Sequence, residues 1–407
     1  MSGSLRERVR ARLGDLEENG LLRTLRAPSG VDLSSNDYLG IAADPRVKDA
    51  MIAAAACEGV GSTGSRLLRG ERERFTALEA RFAQFKGAER SLYFSSGYLA
   101  NIAVMTTFAE GDDVIVSDER NHASLIDGIR LSPAQREIVA HNDVAAVRRA
   151  LQVGARRAGD VRRAGGAGGA GRAGGAGWVE GAPGERFLVV ESLFSMDGDE
   201  APLAEYAEIC AATGAHLIVD EAHAVGVYGR RGTGLIEEHR IADRVFLSIN
   251  TAGKALGVAG AFVAGPAWSI DYLIQRARPF IFSTASPPAL TSALAASLDI
   301  IEGEPQRRAR LREISEKLRV RLLKAGIQAG AGTSHIIPIF IGDNDAAVAI
   351  AEAMQADGFD VRAIRPPSVP PGTARLRIAV NVNLTDDLID RFVPALASAL
   401  AGVGAGL

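Results

Sequence analysis

The chain has 407 residues, 47% of them hydrophobic and 23% charged, which is enough for a large core and most simply two domains. Its net charge of −3 offers no broad basic footprint for nucleic acid or an anionic membrane. No run approaches the roughly 20 apolar residues that cross a bilayer, and residues 1–20 alternate charges without the apolar centre of a secretion signal. A cytosolic protein without nucleic-acid or membrane partners is expected. Cys57 and Cys210 cannot make a disulfide framework; both fall in apolar helical patterns and are expected to be buried thiols in a reducing compartment. No metal site is expected.

Residues 4–26 read as a short amphipathic helix with a basic face, within an N-terminal helix and arm over 1–43. Arg23 and Arg26 then lead into the turn-rich SerSerAsnAspTyrLeuGly of 34–40. Short apolar runs at 91–94, 113–116, 187–190, 217–220 and 245–248 are bounded by Gly, Ser, Asp or Asn, with helical patterns between most of them. Strands buried on both faces of a parallel sheet read this way, so 44–286 is expected to be a large α/β domain with a mostly parallel sheet flanked by helices. Within it, 154–184 is a Gly/Ala/Arg tract without apolar period, read as a flexible surface insertion. After Pro287 and Pro288 the character changes. A helical stretch over 289–326, broken near 303–305, precedes a strand at 336–341 and a helix. Strands at 359–364 and 375–380 and a closing helix at 386–401 complete a smaller α+β domain over 287–407.

The chemistry concentrates where strands end. ValAspGluAlaHis at 219–223 closes an apolar strand with Asp220 and places His223 three residues on. Lys254 follows the next strand in ThrAlaGlyLysAlaLeuGly, where Gly253 and Gly257 leave room for a bulky group. An acid, a histidine and a lysine in this order are the parts that hold pyridoxal phosphate. The amine forms a Schiff base with the aldehyde, and the carboxylate keeps the ring nitrogen protonated so that the ring withdraws electrons. SerSerGlyTyr at 95–98 follows a strand and opens a helix, so Gly97 and Tyr98 supply a helix N-terminus for the phosphate, with Thr251 placed to bond it. His122 follows the strand at 113–116 and is available to lie against the ring; Ser195 and His223 are available to its hydroxyl. His141, His216, His239 and His335 lack such company and read as structural. In an open α/β sheet, ligands gather at the carboxyl ends of the strands. Near the C-terminus, AlaIleArgProProSerValProProGlyThrAlaArgLeuArg at 363–377 stiffens a loop ahead of a strand carrying Arg375 and Arg377 on one face, an arrangement suited to capturing a carboxylate.

Together SerSerAsnAspTyrLeuGly, SerSerGlyTyr, HisAlaSerLeu, PheSerMetAspGlyAsp, AspGluAlaHis and GlyLysAlaLeuGly resemble the α-oxoamine synthase family of fold-type I pyridoxal-phosphate enzymes, from about Arg23 to the C-terminus. The tract at 363–377 resembles the branch that joins L-alanine to a pimeloyl thioester rather than the glycine acetyltransferase, 5-aminolevulinate synthase or serine palmitoyltransferase branches. The resemblance implies a decarboxylative condensation of L-alanine with pimeloyl-coenzyme A or pimeloyl-acyl carrier protein, by a homodimer whose partner reaches in near 282–288. It implies Lys254, His122 and Asp220 as catalytic residues. Gly97, Tyr98, His122, Ser195, Asp220, His223, Thr251 and Lys254 would bind the cofactor. Asn36, Arg377 and His122 would hold the amino acid, and Arg23 and Ser368 the acyl group. Position 368 is Ser where that branch usually carries Thr, which keeps the hydroxyl. The rival readings are a relative using glycine or serine with another acyl chain, an aminotransferase on the same fold, and a silent subunit that kept only the fold.

Overall fold

In the computed structural model residues 4–161 and 184–404 are described. Ser4 caps α1 (Leu5–Glu18) by a reciprocal pair with Glu7. The helix stops at Asn19, and Gly20 follows at a φ of 63°, a backbone turn that glycine allows, so the expected helix over 4–26 is shortened. β1 (Val31–Asp32) precedes α2 (Pro45–Glu58), which starts on the Asp44 cap with proline in its first turn. Next come α3 (Glu73–Lys86), β2 (Arg90–Phe94) and α4 (Gly97–Phe108). Then β3 (Val114–Asp118), α5 (Ala123–Leu131), β4 (Gln135–Val139) and α6 (Val144–Val161) follow. The tract expected as an insertion lies mostly outside the described residues. Its opening AlaArgArgAla instead continues α6 to Val161, as good helix formers can.

β5 (Arg186–Glu191), α7 (Leu203–Thr213), β6 (His216–Asp220), the single-turn α8 (Leu235–Glu238), β7 (Val245–Thr251) and β8 (Ala261–Gly265) come next. After α9 (Ala267–Arg276), α10 (Arg278–Ile281) and α11 (Ala289–Gly303), the chain runs through α12 (Pro305–Lys324), β9 (Ile336–Gly342) and α13 (Asn344–Ala356). It ends with β10 (Phe359–Asp360), β11 (Ala363–Ile364), β12 (Ala374–Ala379) and α14 (Asp386–Gly404).

Two compact units result. The larger takes Ile41–Phe194 and Glu200–Pro305. Its seven-stranded sheet has the order β2-β8-β7-β6-β5-β3-β4, parallel from β7 through β4, with β8 antiparallel to both its neighbours. Leu92, Val104, Ile115, Val189, Ile218 and Ile249 belong to one continuous core on this sheet. The smaller unit takes the described residues of Met1–Gly40, Ser195–Asp199 and Gln306–Leu407. Its antiparallel sheet runs β11-β12-β9, and β1 pairs parallel with β10. These units divide the chain at other points than the expected 43 and 287. β1 ties the N-terminal segment to β10 in the smaller unit, and α11 packs on α2 in the larger.

Three local expectations are corrected. The single strand expected over 359–364 is two, because β10 pairs with β1 and β11 with β12. Cys57 is exposed: it lies at the end of α2, off the buried positions Val47 and Ala54, whereas Cys210 is buried and its thiol pushed up to about 12. Gly257 does not leave space for a cofactor. With φ at 70°, its missing Cβ would sit 2.5 Å from the Ala42 backbone nitrogen, so the gap serves the close approach of the chain itself. Among the described residues no helix is long and apolar enough to cross a membrane.

Candidate active site

The parallel strands of the larger unit bring the expected residues to one edge. Asp220 is the last residue of β6, 5% exposed. Its Oδ1 accepts the Ala222 backbone N–H at 2.9 Å, and its Oδ2 accepts Asn101 Nδ2 at 2.8 Å. The adjoining strand β7 ends at Thr251, and Lys254 follows in the turn with Nζ 2.9 Å from His223 Nε2. The turn that carries His223 is anchored from behind. Glu221, fully buried, pairs with the buried Lys86 ammonium and accepts the Ile236 N–H at 2.9 Å. A buried pair left without one partner is strongly destabilising, so this anchor is stiff.

His122 caps α5, its Nδ1 accepting the Ser124 N–H at 3.2 Å, and the residue is exposed. The surrounding protein still desolvates the ring enough to hold its pKa below the ordinary value, while Asp220 pulls it up and Lys254 pushes it down. The ring thus lies within electrostatic reach of both the acid and the amine.

Gly97 opens α4 behind the Ser96 cap, whose hydroxyl takes the Leu99 N–H. A Cβ at Gly97 would lie 2.6 Å from Thr251 Oγ1, so the helix N-terminus and the end of β7 converge only because the residue is glycine. Tyr98 is 42% exposed, and its hydroxyl is hydrogen-bonded to Asp127 on α5, which raises its pKa; its place in the cradle rests on the backbone. Beyond Gly253 the space is open: apart from its chain neighbours, none of the described residues comes within 4 Å of where a Cβ would be. An exposed imidazole, a buried acid, an amine and a glycine-lined helix N-terminus fit the ring, aldehyde and phosphate of pyridoxal phosphate.

The smaller unit holds the carboxylate-binding candidates. Arg377 on β12 donates from Nε to the Ser195 carbonyl at 2.6 Å. Its Nη2 reaches Asn36 Oδ1 at 3.1 Å and the Tyr38 hydroxyl at 3.3 Å, and Tyr38 in turn donates to Asn36 Oδ1 at 2.8 Å. Arg377 Nη1 and Asn36 Nδ2 are left as donors without a protein partner among the described residues. Arg375 differs: Asp197, Thr373 and the face of Phe340 occupy it. Arg23 is exposed and donates to the Pro366 carbonyl at 3.0 Å, which brings it to the loop that carries the exposed Ser368.

The chain matches the family described as aminotransferase class I and II over residues 28–396. The 8-amino-7-oxononanoate synthase of Anaeromyxobacter dehalogenans is 41% identical to it over 407 aligned positions, covering 96% of this chain and 95% of that one. This chain belongs to the aminotransferase class I and II family, in its 8-amino-7-oxononanoate synthase branch. Two solved structures share the fold. The 8-amino-7-oxononanoate synthase of Francisella tularensis superimposes with a TM-score of 0.74 at 27% identity, covering 92% of this chain and 98% of that one. A serine palmitoyltransferase variant from S. paucimobilis, with bound pyridoxal phosphate and myriocin, gives 0.85 at 25% identity and covers 99% and 100%.

Within this family member, sequence reasoning missed Asn101, Ser124 and Tyr38. Each left a signal. Asn101 is the lone amide in the apolar run of α4, Ser124 stands two residues after His122, and Tyr38 stands two after Asn36 in a turn. Only the folded chain shows that Asn101 reaches Asp220, 119 positions away.

Proposed function

We propose that this chain is a pyridoxal-phosphate-dependent acyltransferase of biotin biosynthesis. It condenses L-alanine with a pimeloyl thioester, on coenzyme A or acyl carrier protein, and releases 8-amino-7-oxononanoate, carbon dioxide and the free thiol. The observation that carries this reading is the Lys254 amine on His223 Nε2, beside buried Asp220 at the ends of two neighbouring parallel strands. Bound there, pyridoxal phosphate supplies an aldehyde for an amine and a ring that takes up the charge left when a Cα proton departs.

The chain's own residues do the rest. Asp220 would receive the ring nitrogen and keep it protonated, its two oxygens already oriented by Ala222 and Asn101. His122 would lie against the ring. His223 and Ser195 serve the hydroxyl side, and Gly97, Tyr98 and Thr251 receive the phosphate. Arg377 Nη1 and Asn36 Nδ2 take the carboxylate of alanine, which sets the Cα–H bond for removal. Lys254 Nζ would take that proton, and the Cα so activated would attack the thioester carbonyl as the thiolate leaves. Loss of the former alanine carboxylate as carbon dioxide and return of a proton from Lys254 Nζ complete the turnover. Arg23 and Ser368 place the acyl chain. The enzyme works in the cytosol as a homodimer, for which exposed Leu67, Leu68 and Phe282 of the larger unit supply apolar surface.

Borohydride reduction of the cofactor-loaded protein tests the anchoring directly. The peptide that contains Lys254 should gain the mass of the reduced cofactor, and the gain should vanish in Lys254→Ala. Attachment at another lysine, or none, would overturn the assignment.

A further inference from the structure

Two buried side chains that the sequence reading did not single out connect the groups assigned to the cofactor ring. Asn101 on α4 is 2% exposed and Ser124 on α5 is 1% exposed. Asn101 Nδ2 donates to Asp220 Oδ2 and to the Ser124 hydroxyl, both at 2.8 Å. The Ser124 hydroxyl lies 2.7 Å from His122 Nδ1, and the Ser124 backbone N–H donates to the same nitrogen at 3.2 Å.

The proton positions follow from these contacts. A backbone N–H can only donate, so His122 Nδ1 accepts and carries no proton. The Ser124 hydroxyl must then donate its single proton to Nδ1, and its lone pairs are free for Asn101. Asn101 cannot be turned over, because its oxygen would then face the Asp220 carboxylate. Both protons of its amide nitrogen are used, and Oδ1 is left buried without a hydrogen bond. A residue that only filled α4 would avoid that cost, since an apolar side chain of the same size leaves no acceptor unpaired. The arrangement is directional: Asn101 gives to Asp220 on one side and, through Ser124, fixes the imidazole on the other.

We infer that Asn101 and Ser124 are positioning residues that lock His122 as the Nε2–H tautomer and hold it in register with Asp220, so that the two groups facing the ring form one preorganised unit. This rests on the pyridoxal-phosphate reading above. Neither residue touches the cofactor in this account; each acts through the side chain it orients. A change at either one is therefore felt at both faces of the site.

The test has two readouts on the holoenzyme. In protein carrying ¹⁵N-histidine, long-range proton–nitrogen correlations for His122, assigned by their loss in His122→Gln, should show Nε2 protonated and Nδ1 bare. A proton on Nδ1, or on both nitrogens at neutral pH, would overturn the inference, and this measurement needs no variant of the network. The second readout is the dissociation constant of pyridoxal phosphate. Asn101→Leu and Ser124→Ala should each raise it about tenfold, with the double variant no weaker than Asn101→Leu alone and Ser124→Thr close to wild type. Losses that multiply to about a hundredfold in the double variant, or constants that do not move, would show separate or absent roles. Failure of the wild-type chain to bind pyridoxal phosphate would sink the functional reading itself, a result distinct from either.

Discussion

Arg375 and Arg377 stand two residues apart on β12, and their surroundings separate their work. Arg375 is held by Asp197 and Thr373, whereas Arg377 Nη1 has no protein partner among the described residues. Arg377→Lys should therefore raise the KM for alanine by about tenfold or more with little change in Tm, because lysine loses the planar fork. Arg375→Lys should lower Tm and leave that KM nearly unchanged; the opposite pattern would exchange the two roles. The residue pattern placed both arginines on one face and the family resemblance pointed to Arg377, but what occupies Arg375 was not legible, since Asp197 lies 178 positions away. His335 read as structural, and its environment gives it a measurable signature. Burial, with Arg377 and Arg319 adding to it, pushes its pKa from 6.5 down to about 3. The unfolded chain therefore binds a proton that the folded one refuses, and stability falls as pH drops from about 6.5 toward about 3. The loss approaches ~1.4 kcal/mol per pH unit inside that window. Tm followed across it should fall less steeply in His335→Gln, and equal slopes would contradict the assignment.

At the scale of elements, the strands that read clearly were those buried on both faces. β5 and β6 were found within a residue or two because apolar runs between polar boundaries leave few alternatives. β4 was missed for the converse reason: it is the edge strand, GlnArgGluIleVal, and all but its last residue is exposed, so no apolar run marks it. β8 was missed because AlaPheValAlaGly reads as a small-residue loop until it is paired between β2 and β7. The junctions between elements carry the site, and two substitutions test them. Gly97→Ala puts a Cβ against Thr251 Oγ1 at the start of α4. It should weaken pyridoxal-phosphate binding at least severalfold while far-UV circular dichroism stays the same; unchanged affinity would remove Gly97 and Thr251 from the cradle. Lys86→Met leaves the Glu221 carboxylate buried without its ion-pair partner, under the turn that joins Asp220 to His223. Denaturant unfolding should show a loss of about 3–5 kcal/mol. A loss below 1 kcal/mol would mean that this pair does not anchor the turn.

For the whole molecule, the order of motifs along the chain announced a fold-type I architecture, and the mostly parallel seven-stranded sheet agrees with it. A larger and a smaller unit were expected, but the segments that join the smaller one were not legible. Nothing local in 1–40 indicates that β1 will pair with β10 more than 300 residues later. Nor does the short span 195–199 announce that Gly198 will pack on the Ile336 carbonyl, where a Cβ would come within 2.2 Å. Cofactor chemistry could be read from the larger unit's strand ends, while the residues that orient its side chains depend on contacts that only the fold creates. The central claim is the joining of alanine to a pimeloyl thioester, and one competition assay addresses it. The pyridoxal-phosphate-loaded protein is given equimolar L-alanine, glycine and L-serine, with pimeloyl-coenzyme A in one reaction and pimeloyl-acyl carrier protein in another, and the products are identified by mass spectrometry. The account predicts 8-amino-7-oxononanoate as the dominant product with at least one of the two donors, and its loss in Lys254→Ala. A dominant product built from glycine or serine, keto acid formed from alanine without use of the thioester, or no product from either donor would contradict it.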